Sequence, residues 1–356
     1  MRNAFFSLLT SVVAFVVVLA VGEGLVRAYL YYKYHIKNRV ETEAISPITI
    51  GTELGWESTP NYAFHGERVD AAGQRYRVDI TTDGNGFRAF GHRGKGGKEP
   101  QKKIFFIGDS FTQALEVSNN KTYYAQVAER LPCTVYAYGT GGFGTLQEYM
   151  ALDKYADRIA PDIVVLQYCY NDFYNNSYAL ELRSAKNSNS MVRPYYTSDD
   201  RIVYRLPMHF PRLRRLANDY ADTFKLPLYL LYKVDKLNAR IVDTVEKEIE
   251  AKGKGVPAYA QSVETTGRIF EKIKRRLPPK TQFYVFAVDD KQPYYADLAA
   301  ILRKAGIPLI TGVAEAVRAA EAAGKVTRAD DGVHWNETGH AIAAGKLVDF
   351  FAQKWQ

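Results

Sequence analysis

Cysteine is scarce in this chain of 356 residues, which contains only Cys133 and Cys169. Two cysteines cannot form a multi-bridge scaffold, and we expect no disulfide between them, because one opens a predicted strand and the other follows a different strand. No C-x-x-C pair and no His/Cys cluster with the spacing of metal ligands occurs. The sequence therefore predicts neither a bound metal nor a cofactor. It also lacks internal repeats and low-complexity tracts.

Acidic residues are outnumbered by basic ones, 39 against 47, which gives a formal net charge of +8. Such a balance favours anionic surfaces, for example lipid headgroups or acidic polysaccharide. The basic residues are scattered in short clusters, as around residues 212–215 and 272–276, which is typical of solvated helix faces. We therefore predict no nucleic-acid binding. The composition, 47% hydrophobic and 24% charged, is that of a globular protein.

One long apolar segment lies at the N-terminus. Residues 4–21, AFFSLLTSVVAFVVVLAV, carry no charge and approach the length that a membrane-spanning helix requires. Tyrosines and cations follow it, as at a membrane interface. The sequence predicts that residues 1–35 form an uncleaved membrane anchor and a juxtamembrane helix. Residues 4–21 are the part that spans the membrane. A cleaved signal peptide is the alternative, with small residues at Val18–Ala20.

Three further regions are expected after the anchor. Residues 36–100 predict an irregular lead-in with short strands and a turn at Asp83–Gly86. Residues 101–356 alternate strands with helices and form the main domain. Residues 173–262 interrupt this alternation with a polar and aromatic insertion, for which we consider a lid, a substrate-binding cap or a partner surface.

Five short apolar runs in the main domain predict buried strands, at residues 103–107, 134–138, 162–168, 282–288 and 307–310. Helical patterns separate them, and Thr145 and Glu148 have the spacing of a capping box at the start of one helix. Strands that alternate with helices form a parallel sheet covered on both faces. The fold class predicted from the pattern is therefore α/β.

Four polar clusters lie at predicted strand ends or before the last helix, where loops of a parallel sheet converge. They contain Ser110, the glycine run GTGGFG at 139–144, Asn171, and the segment from Asp331 to His334. Together these residues suit acyl transfer. Ser110 can act as a nucleophile, His334 as its base and Asp331 as the group that orients His334. The backbone N–H of Gly142 and the side-chain amide of Asn171 can stabilise an oxyanion.

Each cluster alone has a simpler interpretation, since serine, glycine and Asn-Asp after strands often only form turns or caps.

The glycine run also matches a competing motif. Gly139, Gly141 and Gly144 form a G-x-G-x-x-G after a strand and before a helix, which is the context of dinucleotide binding. That hypothesis requires an acidic residue at the end of the next strand, where the sequence has Gln167-Tyr168-Cys169.

The four clusters, in this order, resemble the blocks of the GDSL/SGNH hydrolase family. They read IGDSFT, YAYGTGGFGT, CYND and DGVHWNETGH, and NGFR at 85–88 and RPYY at 193–196 resemble its bacterial membrane-anchored branch. The resemblance implies a flavodoxin-like α/β/α sandwich with a five-stranded parallel sheet. It also implies a nucleophile Ser110, a base His334 with partner Asp331, and an oxyanion hole of Ser110 N–H, Gly142 and Asn171. Cys169 replaces the usual glycine, which could re-aim Asn171.

The resemblance implies a serine esterase that acts on short acyl esters, such as acetyl esters, of a carbohydrate or lipid. Two alternatives stay open, an O-acyltransferase for cell-envelope polysaccharide and a membrane-tethered binding protein with a dormant site. Anchored relatives imply a periplasmic or other extracytoplasmic domain. The flanking charges favour the cytoplasm instead, because cations follow the apolar segment while only Arg2 precedes it.

Overall fold

A computed structural model describes most of the chain. The described residues are 2–37, 46–91, 102–184, 191–207, 213, 216–217, 219–221, 223–241 and 244–355. The expected boundaries near residues 36 and 100 adjoin or fall within the stretches 38–45 and 92–101, which lie outside the described residues.

The strands, in chain order, are β1 (Ile48–Thr52), β2 (Gly55–Ser58), β3 (Ala63–Val69), β4 (Arg75–Thr81), β5 (Lys102–Gly108), β6 (Cys133–Gly139), β7 (Ile163–Tyr168), β8 (Arg193–Tyr196), β9 (Ile202–Arg205), β10 (Gln282–Ala287) and β11 (Leu309–Ile310). The helices are α1 (Arg2–Tyr31), α2 (Ser110–Gln113), α3 (Tyr123–Arg130), α4 (Thr145–Ile159), α5 (Asn171–Asn175), α6 (Tyr178–Arg183), α7 (Leu226–Ile241), α8 (Val245–Lys252), α9 (Pro257–Arg276), α10 (Tyr294–Ala305), α11 (Val313–Ala322) and α12 (Glu337–Lys354). A π-helical stretch, Tyr32–Lys37, extends α1.

The predicted parallel sheet is confirmed. Its five strands lie in the order β11-β10-β7-β5-β6, and every neighbouring pair is parallel. Counted along the chain this order is 2-1-3-4-5, the flavodoxin-like arrangement. The sheet reverses its winding beside β5, so that the carboxyl ends of β5, β6 and β7 are adjacent. Ligand sites of open α/β sheets lie at this position.

Side chains of β5 alternate between the two faces of the sheet, as strand geometry requires. Phe105 and Ile107 pack with residues of α4, α9 and α10. Ile104 and Phe106 pack with residues of α3, α11 and α12. Because both faces are covered, the strand sequence IFFI is apolar throughout. The result is the expected three-layer α/β/α sandwich.

The capping-box prediction at α4 is wrong by one residue. Gly144, and not Thr145, is the N-cap, and the side chain of Gln147 accepts a hydrogen bond from the Gly144 N–H at 3.4 Å. Glu148 is instead fully buried, and its pKa is raised well above the usual range by that burial. Glu148 lies on the same face of α4 as the buried apolar residues, and its side chain therefore points inward.

The N-terminal helix α1 contains a stretch, Leu9–Tyr31, that is long and apolar enough to cross a membrane. Only 6% of it is buried against the rest of the protein. By length and composition it fits either a membrane anchor or a signal sequence, the two alternatives that the sequence leaves open.

In its described part, residues 46–91, the lead-in contains two antiparallel hairpins, β1–β2 and β3–β4. It is joined to the main domain through Arg88, the arginine of the NGFR stretch. This side chain is buried and donates to the carbonyls of Gln113, Ala114 and Val117 at 2.7, 2.8 and 2.8 Å. Arg88 therefore fixes the loop that follows α2.

The insertion is anchored by a second buried arginine, Arg193 in β8. Its guanidinium pairs with Glu181 of α6 at 2.8 Å and lies 4.6 Å from the ring centre of Trp56 in β2. It also donates to Gln147 of α4. One side chain therefore connects the insertion, the lead-in and the main domain.

We expect Arg88→Met to destabilise the protein by about 3–5 kcal/mol, because it leaves three buried carbonyls without their charged donor. The thermal unfolding midpoint of the purified chain, followed by circular dichroism, measures the loss. The matched control is Arg77→Met, whose side chain is 63% exposed and should change stability by less than about 0.5 kcal/mol. Equal midpoints for the two variants would contradict the assigned role of Arg88.

Candidate active site

Ser110 lies where the central strand β5 gives way to α2, at the carboxyl edge of the sheet. Asp109 is the N-cap of α2, and its carboxylate accepts a hydrogen bond from the Phe111 N–H at 3.0 Å. Ser110 is therefore the first residue of the helix, with its side chain turned to the cavity and not to the cap. Burial raises the pKa of Asp109, which is fully enclosed.

The structure brings His334 to Ser110 across 224 positions of sequence, with His334 Nε2 2.8 Å from Ser110 Oγ. The other ring nitrogen, Nδ1, is hydrogen-bonded to Asp331 Oδ2. Asp331 also accepts from the backbone N–H groups of Val333 at 2.8 Å and His334 at 3.0 Å, which fixes the carboxylate beneath the ring. This is the geometry of a nucleophile, a base and an orienting acid.

A second carboxylate, which the sequence did not indicate, faces the same imidazole. Glu116 Oε1 lies 3.8 Å from His334 Nδ1. Burial lowers the pKa of His334, but Glu116 and then Asp331 outweigh it and raise that pKa to about 9. Burial alone would raise the pKa of Asp331, but the hydrogen bond between Asp331 and His334 lowers that pKa to about 2. Imidazolium is thus strongly favoured at this position.

Glu116, Asp331 and His334 are close enough together to hold a cation. Both ring nitrogens of His334 are already hydrogen-bonded, one to Ser110 and one to Asp331. The cluster is therefore accounted for by the serine site itself.

The expected oxyanion donors line the same cavity as Ser110. Gly142 has a φ of +78°, a conformation that favours glycine, and its carbonyl accepts from Asn175 at 3.2 Å. Asn171 opens α5 and lines this cavity together with Ser110 and Gly142.

The glycine run is explained by close packing against α2 and α5. A side chain at Gly139 would meet Thr112 Cβ at 2.6 Å and the Asp109 carbonyl at 2.7 Å, and one at Gly144 would meet Asn175 Cβ at 2.7 Å. The intervening Gly141 N–H donates to Gln113 at 2.7 Å. These contacts account for the G-x-G-x-x-G spacing without a dinucleotide.

Cys169, which stands where the family usually has glycine, points into a buried space beside Asp289. Its thiol donates to Asp289 Oδ2 at 3.6 Å, and the Tyr170 N–H donates to the same oxygen at 3.4 Å. Burial raises the pKa of Cys169 well above its usual range, so the thiol is protonated. Cys169 also lines the cavity that contains Ser110 and Asn171, so the larger side chain lies at the edge of the site.

A cavity of about 520 Å³ contains Ser110, Gly142, Asn171 and His334 in its lining. Residues of the lead-in, the main domain and the insertion complete the lining. They include Ile48 of β1, Leu115 after α2, Tyr170 after β7, Met191 of the insertion and Val333 beside His334. A predominantly apolar cavity with a few polar groups at one end is typical of a small-molecule site.

Two supporting residues were also missed by the sequence analysis. Trp56 Nε1 donates to the Gly141 carbonyl at 2.9 Å, and Gln113 accepts from the N–H of the same residue. Gln113, three residues after the nucleophile, could have been suspected from helical spacing. Trp56 lies in a different hairpin, and no local pattern points to it.

We expect the activity of this site to rise with pH as His334 loses its proton, with an acid limb governed by a pKa of about 9. Glu116→Gln removes a negative charge beside the imidazolium, which lowers the His334 pKa and moves the limb to lower pH. Profiles of kcat/KM against pH for an ester substrate measure the shift. The control is Glu67→Gln, a half-buried carboxylate of β3. A limb that stays in place in Glu116→Gln would show that Glu116 does not act on His334.

Comparisons with known proteins identify a family and several structures to which this chain is similar. The sequence profile of the GDSL-like lipase/acylhydrolase family matches residues 106–342, while no curated protein matches the chain. Among solved structures, a lipase/acylhydrolase from Enterococcus faecalis shares 14% identity at a TM-score of 0.38, over 71% of this chain and 97% of that one. An acetylxylan esterase mutant from Geobacillus stearothermophilus shares 12% identity at a TM-score of 0.36, over 71% and 94%. On the family match, the chain belongs to the GDSL-like lipase/acylhydrolase family and is a serine hydrolase.

Proposed function

We propose that the protein is an esterase that cleaves short acyl esters, such as acetyl esters, of a carbohydrate or lipid through Ser110, His334 and Asp331. The observation that carries this proposal is the contact of 2.8 Å between Ser110 Oγ and His334 Nε2, with Asp331 on the opposite ring nitrogen. An assembled site of this kind also argues against a dormant one.

In the first half of the reaction, neutral His334 takes the Ser110 proton on Nε2 while Oγ attacks the ester carbonyl carbon. The tetrahedral intermediate carries its negative charge on the former carbonyl oxygen. The Ser110 and Gly142 N–H groups and the Asn171 amide are the proposed donors to this oxyanion. When the intermediate collapses, the C–O bond to the alcohol breaks and His334 returns the proton to the leaving oxygen.

In the second half, a water molecule gives its proton to His334 and attacks the acyl-Ser110 carbonyl. The collapse of this second intermediate releases the carboxylic acid and restores the Ser110 hydroxyl. Asp331, whose pKa is lowered by its hydrogen bond with His334, is negative when His334 is positive and stabilises the charge that each step creates on the ring. If a sugar hydroxyl replaced water, the same steps would make an acyltransferase.

The cavity supports a small acyl group. Its volume of about 520 Å³ must hold the acyl chain together with part of the alcohol. Ile48, Leu115 and Met191 give it an apolar wall, against which a methyl or short alkyl group can pack. We therefore expect a preference for acetyl and other short acyl chains.

We expect the full chain to hydrolyse p-nitrophenyl acetate faster than the octanoate, and Ser110→Ala to lose this turnover. Asn171→Ala, which removes one oxyanion donor, should lower kcat by ~10²–10³ and leave the unfolding midpoint nearly unchanged. The matched control is Asn85→Ala, an amide in an exposed turn.

Wild-type turnover in Ser110→Ala would overturn the proposal. A wild type that is folded and labelled at Ser110 by a fluorophosphonate, yet does not hydrolyse these esters, would favour the acyltransferase and an acceptor other than water.

We also propose that the domain after α1 lies outside the cytoplasm, as the resemblance to anchored envelope relatives implies. The test is a C-terminal fusion to alkaline phosphatase, which is active only after export, beside a fusion to a fluorescent protein that matures in the cytoplasm. We expect phosphatase activity. Cytoplasmic fluorescence without phosphatase activity would place the domain inside, as the charges that flank the apolar segment favour.

A further inference from the structure

A group of exposed apolar side chains lies in the insertion, far from Ser110 in sequence. Its members are between 50% and 56% exposed, and we call them the apolar strip: Leu213, Leu216, Tyr220, Phe224, Leu230, Val234 and Leu237. Elsewhere in the described part of the chain, apart from the N-terminal helix, large apolar side chains are exposed mainly singly. A concentration of this kind on a soluble surface marks an interaction site.

The apolar strip adjoins the N-terminal helix. Glu23 of α1 accepts hydrogen bonds from the backbone N–H groups of Lys225 and Leu226 at 2.9 and 2.8 Å, and so caps the start of α7. Arg27 donates to the Thr223 carbonyl at 2.7 Å. Farther along, the Tyr29 and Tyr229 rings lie 5.9 Å apart.

These contacts show which part of α1 lies beside the start of α7. Glu23 and Arg27 are the first charged residues after the charge-free segment 4–21. In a helix that crosses a bilayer, such residues lie where the helix leaves the hydrocarbon core. The start of α7 therefore lies near the place where α1 leaves the hydrocarbon core. The contacts from Glu23 to Tyr29 extend along roughly 9 Å of α1.

The composition of the strip fits a lipid surface. Leu230, Val234 and Leu237 recur at spacings of four and three, so they lie on one face of α7. Between residues 207 and 241 the basic residues outnumber the acidic ones, with Arg212, Arg214, Arg215, Lys225, Lys233, Lys236 and Arg240 against Asp219, Asp222 and Asp235. A basic amphipathic segment binds the headgroup region of anionic membranes.

We propose that the apolar strip forms a second membrane contact, which docks on the bilayer beside α1 and inserts its side chains among anionic lipids. This goes beyond the esterase activity and does not depend on it, but it rests on α1 being a membrane anchor. A single spanning helix does not by itself fix the orientation of its domain relative to the membrane. A second contact limits that rotation and holds the catalytic domain at a defined orientation to the lipid surface.

The test uses the full chain in vesicles of phosphatidylcholine and phosphatidylglycerol that contain a lipid with a nitroxide near its headgroup. Three single substitutions, Val16→Cys in α1, Leu237→Cys in the strip and Ala323→Cys on the main domain, are each labelled with a fluorophore. Cys133 and Cys169 are buried, and unsubstituted protein gives the background labelling. We expect the nitroxide to quench the Leu237 label to an extent comparable with Val16 and severalfold more than Ala323.

The outcomes separate the anchor from the strip. Quenching at Val16 with Leu237 no more quenched than Ala323 would overturn the docking and leave the anchor. No quenching at either Val16 or Leu237 would overturn both. Crosslinking of Leu237→Cys between copies by a bismaleimide, without quenching, would assign the strip to a contact between two copies of the chain. Vesicles of phosphatidylcholine alone should give weaker quenching at Leu237, because the basic residues then lack anionic partners.

Discussion

The contact between Ser110 and His334 depends on the edge at which the parallel strands end. Ser110 follows the carboxyl end of β5, and the last helix begins three residues after His334, so the base is held against the same edge. The turn that carries His334 is rigid because Asp331 accepts two backbone N–H groups within it. The same carboxylate binds the ring, and one residue therefore sets both the backbone and the side chain of the base.

Much of the surrounding protein supports the loops on either side of Ser110. Arg88 binds the carbonyls that follow α2, and Trp56 and Gln113 bind the two polar groups of the Gly141 backbone. Arg193 in turn lies against Trp56 and links it to the insertion. The lead-in and the insertion thus support the loop that contains Gly141 and the proposed oxyanion donor Gly142. NGFR and RPYY contain the arginines that make these links.

The sheet and the four polar clusters could be predicted because their signals are local. An apolar run identifies a strand, and a serine, asparagine or histidine at its end is visible in a few residues. Glu116 could not be found in this way, since it reaches His334 only after Arg88 has folded the loop after α2. Glu148 was misassigned for a related reason. Spacing cannot say which face of α4 the sheet will bury.

The two carboxylates around His334 have opposing effects on catalysis. They raise its pKa to about 9, so that at neutral pH most free enzyme holds an imidazolium that cannot accept the Ser110 proton. Yet the positive ring they favour is the one formed when Ser110 attacks, and a stronger base transfers the proton more completely. A site with Asp331 alone would have more neutral base and less stabilisation of the charged state. Through its effect on the His334 pKa, Glu116 therefore favours activity of this serine site at alkaline pH.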